Sequence, residues 1–487
     1  MKQETLNLDM PAYEKDERQR IIIGSTIKIY NPNPIILNDV EKRLLVDNPK
    51  YKHYLKQKKK HVALYYGIEK KIKCFSFDPL TNILIIPFGM LRKYWSYIKT
   101  QNYTLDFNKI PEDISIKDLP CPITLRDYQE PAIETMIHEK NGILVSPCGS
   151  GKTIMGIEII HRIGKRFLWL THTKDLLDQT YEEFKTLYPD IKLGTISGGK
   201  KKTFGEDGTI AMVQSLSKFD PKEYENQFEV LIVDECAHAV GTVESSGYFS
   251  KVMNTVKARY KFGLTATPSR SDDLIKSMYM HLGISRKGEF EPTYQVDRKA
   301  IPNVPAQHHR IDLPFEMNDK IFISKKTKEI DFTKLINYLV QQEDRTKVIL
   351  ENVLNLSLDG RKQVILSGRK EYSKMLQERL AEKGLKAVYV DGCSKQKDRK
   401  LILSKDNDWQ VLCATYSLLK EGNNIPSLDT LHLATPLVSK SSIVQSVGRI
   451  ERVCDNKKQP IVFDYVDNLK YLEVAFFRRQ KSLKERF

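Results

Sequence analysis

The chain has 487 residues, 40% hydrophobic and 29% charged, an ordinary balance for a globular protein and too long for one compact core. No stretch approaches the roughly 20 apolar residues that cross a bilayer, which excludes a membrane-embedded protein, and the polar start MKQETLNLDMPAYEKDE does not predict a signal peptide. The net charge of +16 favours a polyanionic partner, and seven scattered cysteines without a CxxC pair favour a reducing compartment (cytoplasm, nucleoid or nucleus) over disulfides or zinc.

The first 118 residues are more basic than the rest, with 21 lysines and arginines against 14 acidic residues. The densest run, KYKHYLKQKKKH at residues 50–61, mixes lysines with Tyr51 and Tyr54. After it, HVALYYG, CFSF and NILIIPF predict strands, and LRKYWSYIK predicts a short helix that carries Trp95. These patterns predict a small basic α+β module over residues 1–118, which ends before Pro120 and Pro122.

Short apolar runs alternate with helical or polar sequence through the remainder of the chain. GILVSP, FLWLTH, TIAMVQSL, VLIVDE and KFGLTAT lie in residues 119–290, and QVILSG, KAVYVDG, WQVLCAT, TLHLAT and PIVFDY lie in residues 291–487. Such alternation is typical of parallel sheets covered by helices on both faces. We therefore predict two α/β domains in tandem, with a boundary between residues 290 and 291.

A phosphate-binding loop is predicted at SPCGSGKT, which follows a strand and precedes the apolar helix IMGIEII. Glycines let the backbone approach a phosphate tail closely, and N–H groups at a helix start hold it. Lys152 would reach the β- and γ-phosphates of ATP, and the Thr153 hydroxyl would ligate Mg²⁺. Ser146 stands where the G-x-x-x-x-G-K-[ST] pattern has its first glycine. The predicted nucleotide-binding residues of the loop are Gly149, Ser150, Gly151, Lys152 and Thr153.

Two acids end the strand VLIV, in the box DECAH. Magnesium prefers oxygen ligands and keeps most of its waters, so one carboxylate beside the phosphates suits it, and Asp234 would hold that ion. Glu235 would orient or deprotonate the attacking water. The box therefore predicts hydrolysis of ATP in addition to binding.

The order of these motifs resembles that of superfamily 2 helicases of the DExH type across residues 123–465. The resemblance implies an α/β fold of two tandem RecA-like parallel-sheet domains, preceded by the small basic α+β N-terminal domain. LRDYQ resembles the Q motif, in which Arg126 and Gln129 read adenine. TATP resembles motif III, in which Thr265 and Thr267, together with His238, couple hydrolysis to strand movement.

Further motifs imply contacts with nucleic acid and with the γ-phosphate. LTHTKDLLDQ, MVQSL, VILSGRK and ATYSLLKEGNNIPSLD resemble motifs Ia, Ic, IV and V, and Gly422 of motif V would lie near the γ-phosphate. The implied nucleic-acid contacts are Thr173, Lys174, Gln214, Ser215, Ser367 and Thr415. QSVGRIER resembles motif VI, which implies a catalytic Gln445 and two arginine fingers, Arg449 and Arg452. Asn424 and Ser446 depart from the usual Asp of motif V and Arg of motif VI.

Within the superfamily, PCGSGKT, DECAH, TATPSRSDD and EGNNIPSLDT most resemble the group of XPB, RecG and phage UvsW, which act mainly on double-stranded or branched DNA. This implies a monomeric, ATP-dependent DNA motor for branch migration, replication, recombination or repair, of cellular or viral origin. An RNA-directed or transcription-linked translocase and a catalytically dead scaffold are the alternatives. The basic module would then bind duplex or branched DNA, with Tyr51, Tyr54 or Trp95 stacking on a base at a junction. Alternatively, its lysines form a solvated face and its aromatics lie in a core. Its predicted phosphate contacts are Lys56, Lys58, Lys59 and Lys60.

Overall fold

The computed structural model describes residues 20–56, 60–147, 149–198, 203–239, 243–268, 274–313, 319–324, 330–391, 394, 401–402, 408–416, 425, 427–437 and 440–484. The chain divides into two compact units, Met1–Asp297 and Arg298–Phe487. Among the residues so described, no helix is long and apolar enough to span a bilayer. The predicted boundary after residue 118 lies inside the first unit.

The N-terminal module is α+β, as predicted. Its five-stranded sheet has the order β5-β6-β2-β1-β7 and is antiparallel except between β1 and β7, while β3 and β4 form a separate antiparallel pair. The strands are β1 Arg20–Ile23, β2 Thr26–Tyr30, β3 Leu45–Asp47, β4 Lys71–Lys73, β5 Ser76–Asp78, β6 Ile83–Pro87 and β7 Asn102–Leu105. The helices are α1 Pro34–Arg43, α2 Pro49–Lys56, α3 Lys60–Tyr65 and α4 Leu91–Ile98.

One predicted strand of this module, HVALYYG, is wrong, because these residues form helix α3 and the turn after it. Aromatic and β-branched residues favour strands only where they pack on a sheet. Here Tyr65 and Tyr66 are exposed, and the amide of Tyr66 donates to the Val62 carbonyl as in a helix.

The rest of the first unit is a seven-stranded parallel sheet with the order β10-β11-β9-β12-β13-β8-β14, as the alternating pattern predicted. Its strands are β8 Asn141–Val145, β9 Phe167–Thr171, β10 Leu193–Ile196, β11 Gly208–Met212, β12 Val230–Val233, β13 Tyr260–Thr265 and β14 Tyr294–Gln295. Its helices are α5 Gln129–Glu139, α6 Lys152–Ile163, α7 Lys174–Leu187, α8 Val213–Leu216, α9 Cys236–Ala239, α10 Val243–Met253 and α11 Ile275–Leu282.

The second unit is a six-stranded parallel sheet with the order β15-β20-β19-β16-β18-β17. Its strands are β15 Gln307–Leu313, β16 Gln363–Ser367, β17 Ala387–Val390, β18 Val411–Thr415, β19 Thr430–Leu433 and β20 Ile461–Asp467. Its helices are α12 Phe332–Leu339, α13 Glu343–Leu358, α14 Lys370–Glu382, α15 Lys440–Ile450 and α16 Lys470–Lys484. Two parallel-sheet bodies in tandem confirm the predicted fold class.

The N-terminal module shares a hydrophobic core with the parallel sheet of the first unit. The side-chain amide of Asn108 donates to the carbonyls of Glu225 at 3.0 Å and Phe228 at 2.9 Å. These bonds join the chain that leaves the module to the body of the parallel sheet. The buried side chain of Arg92 pairs with the buried Glu139 at the end of α5. The module and the first parallel sheet therefore fold as one body.

A wholly buried lysine lies at this junction. The ammonium of Lys261, on β13, donates to the Ser25 carbonyl at 3.2 Å and sits 4.4 Å from the centre of the Phe88 ring. Burial lowers the pKa of Lys261 from 10.5 to about 7, because one carbonyl and one ring face replace water poorly.

Replacing Lys261 with methionine is expected to raise the free energy of unfolding at pH 7, on the order of 3 kcal/mol. Between pH 7 and 10.5 the unfolded chain holds the Lys261 proton more tightly than the folded chain, so wild-type stability rises with pH across this window. The increase in the free energy of unfolding that K261M produces should therefore become smaller as pH approaches 10. Buried His281, with its pKa lowered to about 4, titrates below the window.

Urea unfolding at several pH values measures this difference. The exposed Lys222 provides the control, since K222M should leave the pH dependence unchanged. A K261M protein less stable than wild type at pH 7 would contradict a penalty for the buried ammonium.

Candidate active site

The carboxyl ends of three neighbouring strands bring the predicted catalytic motifs together. In the parallel register, Val145 of β8 lies opposite Thr265 of β13, and Val233 of β12 lies opposite Gly263 of the same strand. SPCGSGKT and DECAH follow directly after Val145 and Val233, and TATP begins at Thr265, so the three motifs share one edge of the sheet. This is where α/β proteins bind their ligands.

The phosphate loop has the backbone that its glycines allow. Gly149 and Gly151 adopt left-handed conformations, with φ of 84° and 78°, and Gly151 caps the start of helix α6 at Lys152. A Cβ atom at Gly151 would lie 2.6 Å from the Gln129 amide nitrogen. The loop therefore needs glycine at both positions to present its N–H groups.

The serine that replaces the first glycine of the pattern is part of the loop structure. The Ser146 hydroxyl donates to the Ser150 hydroxyl at 2.5 Å, and the backbone N–H of Ser146 donates to the Thr265 carbonyl at 2.9 Å. Both serines are wholly buried. A left-handed φ is absent at Ser146, so a side chain is tolerated there.

Residues of the Q motif form hydrogen bonds with the backbone of the phosphate loop. The buried Gln129 amide donates to the Ser150 carbonyl at 2.8 Å and accepts from the backbone of Arg126 at 2.9 Å. Tyr128, which the sequence interpretation missed, donates its hydroxyl to the same Ser150 carbonyl at 3.1 Å. The sequence signal that could have identified Tyr128 was its position between Arg126 and Gln129. The adenine-reading role of Arg126 and Gln129 stays a prediction.

The acidic pair lies beside the loop lysine. The Lys152 ammonium is 3.5 Å from a Glu235 carboxylate oxygen, and Asp234 is 4% exposed. Burial, followed by the neighbouring Glu235, raises the pKa of Asp234, and Lys152 opposes this shift. Glu235 has φ of 44°, a strained value for a residue with a side chain, and such strain often marks functional positions.

These residues suit a divalent cation. A buried carboxylate with a raised pKa, next to a second carboxylate, concentrates negative charge that Mg²⁺ would neutralise. Asp234 and the Thr153 hydroxyl, in the first turn of α6, are the residues that would hold the ion. When bound, the ion would offset charge on the phosphates.

Motif III contacts the phosphate loop directly. Thr265 is wholly buried, and its carbonyl accepts from the Ser146 amide. The Thr265 hydroxyl in turn accepts from the Thr267 amide at 3.3 Å. The proposed coupling residues are thus one backbone hydrogen bond away from the loop that would grip the phosphates.

Two predicted nucleic-acid motifs also meet. The Gln214 amide of motif Ic donates to the His172 carbonyl at 3.1 Å, next to Thr173 of motif Ia. Thr173 caps α7, its hydroxyl accepting from the Leu176 amide at 3.4 Å, and Lys174 is exposed at the start of that helix. A helix start with an exposed lysine suits a phosphate contact.

Three other predicted contacts are buried. Ser215 and Thr415 are 9% and 8% exposed, and Ser367 is wholly buried, with its hydroxyl accepting from the Arg369 amide at 3.0 Å. In this structure Ser367 stabilises the turn after β16 and offers no surface. Contact by these side chains would require a rearrangement, and their role stays a prediction.

The residues predicted from motif VI, Gln445 and the two proposed arginine fingers, lie on or just after helix α15. Gln445 is buried, whereas Arg449 and Arg452 are half-buried. Ser446, which replaces the usual arginine of motif VI, is wholly buried, so a charged side chain at this position would be removed from solvent. The departure at Ser446 therefore places a small side chain at a buried position.

Several predicted residues, or their side chains, lie outside the part of the chain that the structure describes. Gly422, Lys58, Lys59 and the departure Asn424 lie outside the described residues. His238 belongs to helix α9, Lys56 ends α2 and Lys60 begins α3, but their side chains are outside the description.

Two family models match consecutive parts of the chain and together cover more than half of it. One, described as Type III restriction enzyme, res subunit, matches residues 122–270, and the other, Helicase conserved C-terminal domain, matches residues 331–454. Both matches lie on the two parallel-sheet bodies described above.

Relatives named as a helicase or a translocase align with most of the chain. A putative ATP-dependent RNA helicase of Acanthamoeba polyphaga mimivirus is 27% identical over 80% of this chain and 77% of its own length. The DNA 3'-5' translocase XPB2 of Sulfurisphaera tokodaii is 26% identical over 74% of this chain and 88% of its own length. The crystal structure of T4 UvsW aligns with 96% of this chain and 97% of its own, at 16% identity and a TM-score of 0.39.

The two family-model matches agree with the motif order and with the geometry of the site. The two family models cover, in chain order, the residues that carry the motifs, and the phosphate loop and acidic box lie at one sheet edge. The chain is an ATP-hydrolysing superfamily 2 helicase, related to the group that contains XPB.

Proposed function

We propose that the track of this motor is DNA and that it unwinds or remodels duplex, forked or branched DNA. The similarity to a protein named as a DNA 3'-5' translocase, which spans 88% of that protein, carries the proposal. The basic module gives it a physical basis, because lysines and arginines bind phosphate backbones by releasing counterions. A monomer suffices for the proposal.

The exposed aromatic pair of the module supports a contact with bases. Tyr65 and Tyr66 are 84% and 67% exposed at the end of α3, with ring centres 5.2 Å apart. Tyr51 is buried and Trp95 packs against Tyr103, so the stacking role proposed for them passes to the exposed pair. Base–aromatic stacking contributes about 1–3 kcal/mol per base.

The proposed cycle uses residues of both units. Lys152 and the loop amides bind the phosphates, and Glu235 orients the attacking water. Asp234 and Thr153 would hold a magnesium ion, which would offset charge on the phosphates. Arg449 and Arg452 stabilise charge on the transferring phosphoryl group. Nucleotide drives movement only through its different affinity for the conformations of the motor.

An ATPase and unwinding panel tests the track. Forked DNA, a Holliday junction, blunt duplex, single-stranded DNA and RNA are each titrated against turnover. We expect duplex or branched DNA to give the strongest stimulation. The double variant Y65A/Y66A should weaken binding to a fork about tenfold or more, whereas Leu80→Ala, another exposed apolar side chain of the module, should not.

Stimulation by RNA alone would contradict the DNA proposal and favour a second candidate, an RNA-directed translocase. The mimivirus relative, which carries the name of an RNA helicase, is the observation that supports this second candidate. Equal fork affinity for wild type and Y65A/Y66A would remove the tyrosine pair from the proposed interface.

A further inference from the structure

The chain enters the second unit along the segment that carries the arginine fingers. Residues 298–306, here called the entry segment, directly follow the end of the first unit at Asp297. The Val304 amide donates to the Glu451 carbonyl at 2.9 Å, and Asn303 forms an isolated antiparallel bridge with Arg452. The backbone of the entry segment is therefore joined to motif VI.

A single buried carboxylate reinforces this connection. Glu451 is 1% exposed; one of its oxygens accepts from the Ala306 amide at 3.1 Å and the other from the Arg298 guanidinium at 3.0 Å. A buried charge is tolerated only when it is paired and hydrogen-bonded. Glu451 therefore holds both ends of the entry segment.

We infer that Glu451 is a positioning residue: by binding the entry segment, it makes the placement of Arg449 and Arg452 depend on the orientation of that segment. The inference rests on the finger roles proposed for these arginines. Glu451 lies two residues after Arg449 and directly before Arg452. A displacement of the entry segment therefore displaces these two arginines with it. A guanidinium stabilises the transferring phosphoryl group only when it is closely placed, so this link affects the chemical step.

The test compares Glu451→Gln, Arg298→Gln and the double variant in the full chain with saturating nucleic acid. Turnover per folded molecule, the KM for ATP and the midpoint of thermal unfolding are measured together. We expect E451Q to lower kcat about tenfold or more, with KM changed less than about twofold because the phosphate loop is untouched. R298Q should give a similar loss, and the double variant should lose no more than the larger single loss.

The surface pair of Glu343 and Arg379, 2.6 Å apart in the same unit, supplies the matched control. E343Q should leave kcat, KM and the unfolding midpoint unchanged, since exposed ion pairs contribute little. A loss of turnover in E343Q equal to that in E451Q would overturn the inference.

Two further results would overturn the positioning role. The first is a lower unfolding midpoint for E451Q with kcat per folded molecule unchanged, which is the outcome of a purely structural ion pair. The second is independent losses that multiply in the double variant. The variants R449A and R452A separate the two proposals: if they retain turnover, the proposed finger roles fail; if they abolish it while E451Q is normal, only this inference fails.

Discussion

Replacing Lys152 with alanine is expected to reduce nucleic-acid-stimulated ATP turnover about a hundredfold or more, because one preorganised charge on the transferring phosphate is lost. The ammonium lies at the start of α6, beside Glu235 and the two left-handed glycines of the loop. Phosphate release at saturating nucleic acid measures the effect.

The control for this prediction is Lys222→Ala, an exposed lysine of the same unit outside the three motifs. It should retain wild-type turnover. Turnover by K152A at the wild-type rate would contradict the prediction that Lys152 binds the phosphates. It would also contradict the interpretation of SPCGSGKT as the phosphate loop.

Deleting residues 1–118 is expected to abolish folding of the first unit rather than to yield a motor without its DNA-binding module. The module contributes wholly buried side chains, among them Ile21, Tyr94 and Tyr97, to the core that it shares with the parallel sheet. Their removal would expose an apolar face and leave groups such as Glu139 without buried partners. Size-exclusion chromatography and circular dichroism of the truncated protein measure the outcome.

A point variant tests the same junction without truncation. A Cβ atom at Gly89 would lie 2.5 Å from the Tyr279 carbonyl and 2.6 Å from the Met280 carbonyl, both rigid backbone atoms. G89A should therefore cost about 1–3 kcal/mol of stability, whereas Gly247→Ala, with open space around it, should cost little. An active, folded truncation together with a G89A protein of wild-type stability would show that the module is independent.

The parallel sheets and the phosphate site were predictable because their signals are local. A buried parallel strand is a short apolar run, and the loop between β8 and α6 needs glycine at Gly149 and Gly151 whatever the rest of the chain does. The acidic box was identified for the same reason, since Asp234 and Glu235 directly follow a buried strand.

The features that were missed depend on contacts between distant residues. Pro120 and Pro122 suggested a boundary, but nothing near them indicates that Asn108 reaches the carbonyls of Glu225 and Phe228. Glu451 stands between two arginines in the sequence with no local signal of its role, and only the folded chain shows its carboxylate bound by the entry segment.

The hydrogen bond from the Ser146 amide to the Thr265 carbonyl joins two backbone groups, so no ordinary side-chain replacement removes its donor or acceptor. Only proline at position 146 would delete the donor, since proline has no N–H. The connection between the phosphate loop and motif III can thus persist while the residues around it drift over evolution. This explains physically how the loop can carry a serine where the pattern has its first glycine and still keep its hydrogen bond to motif III.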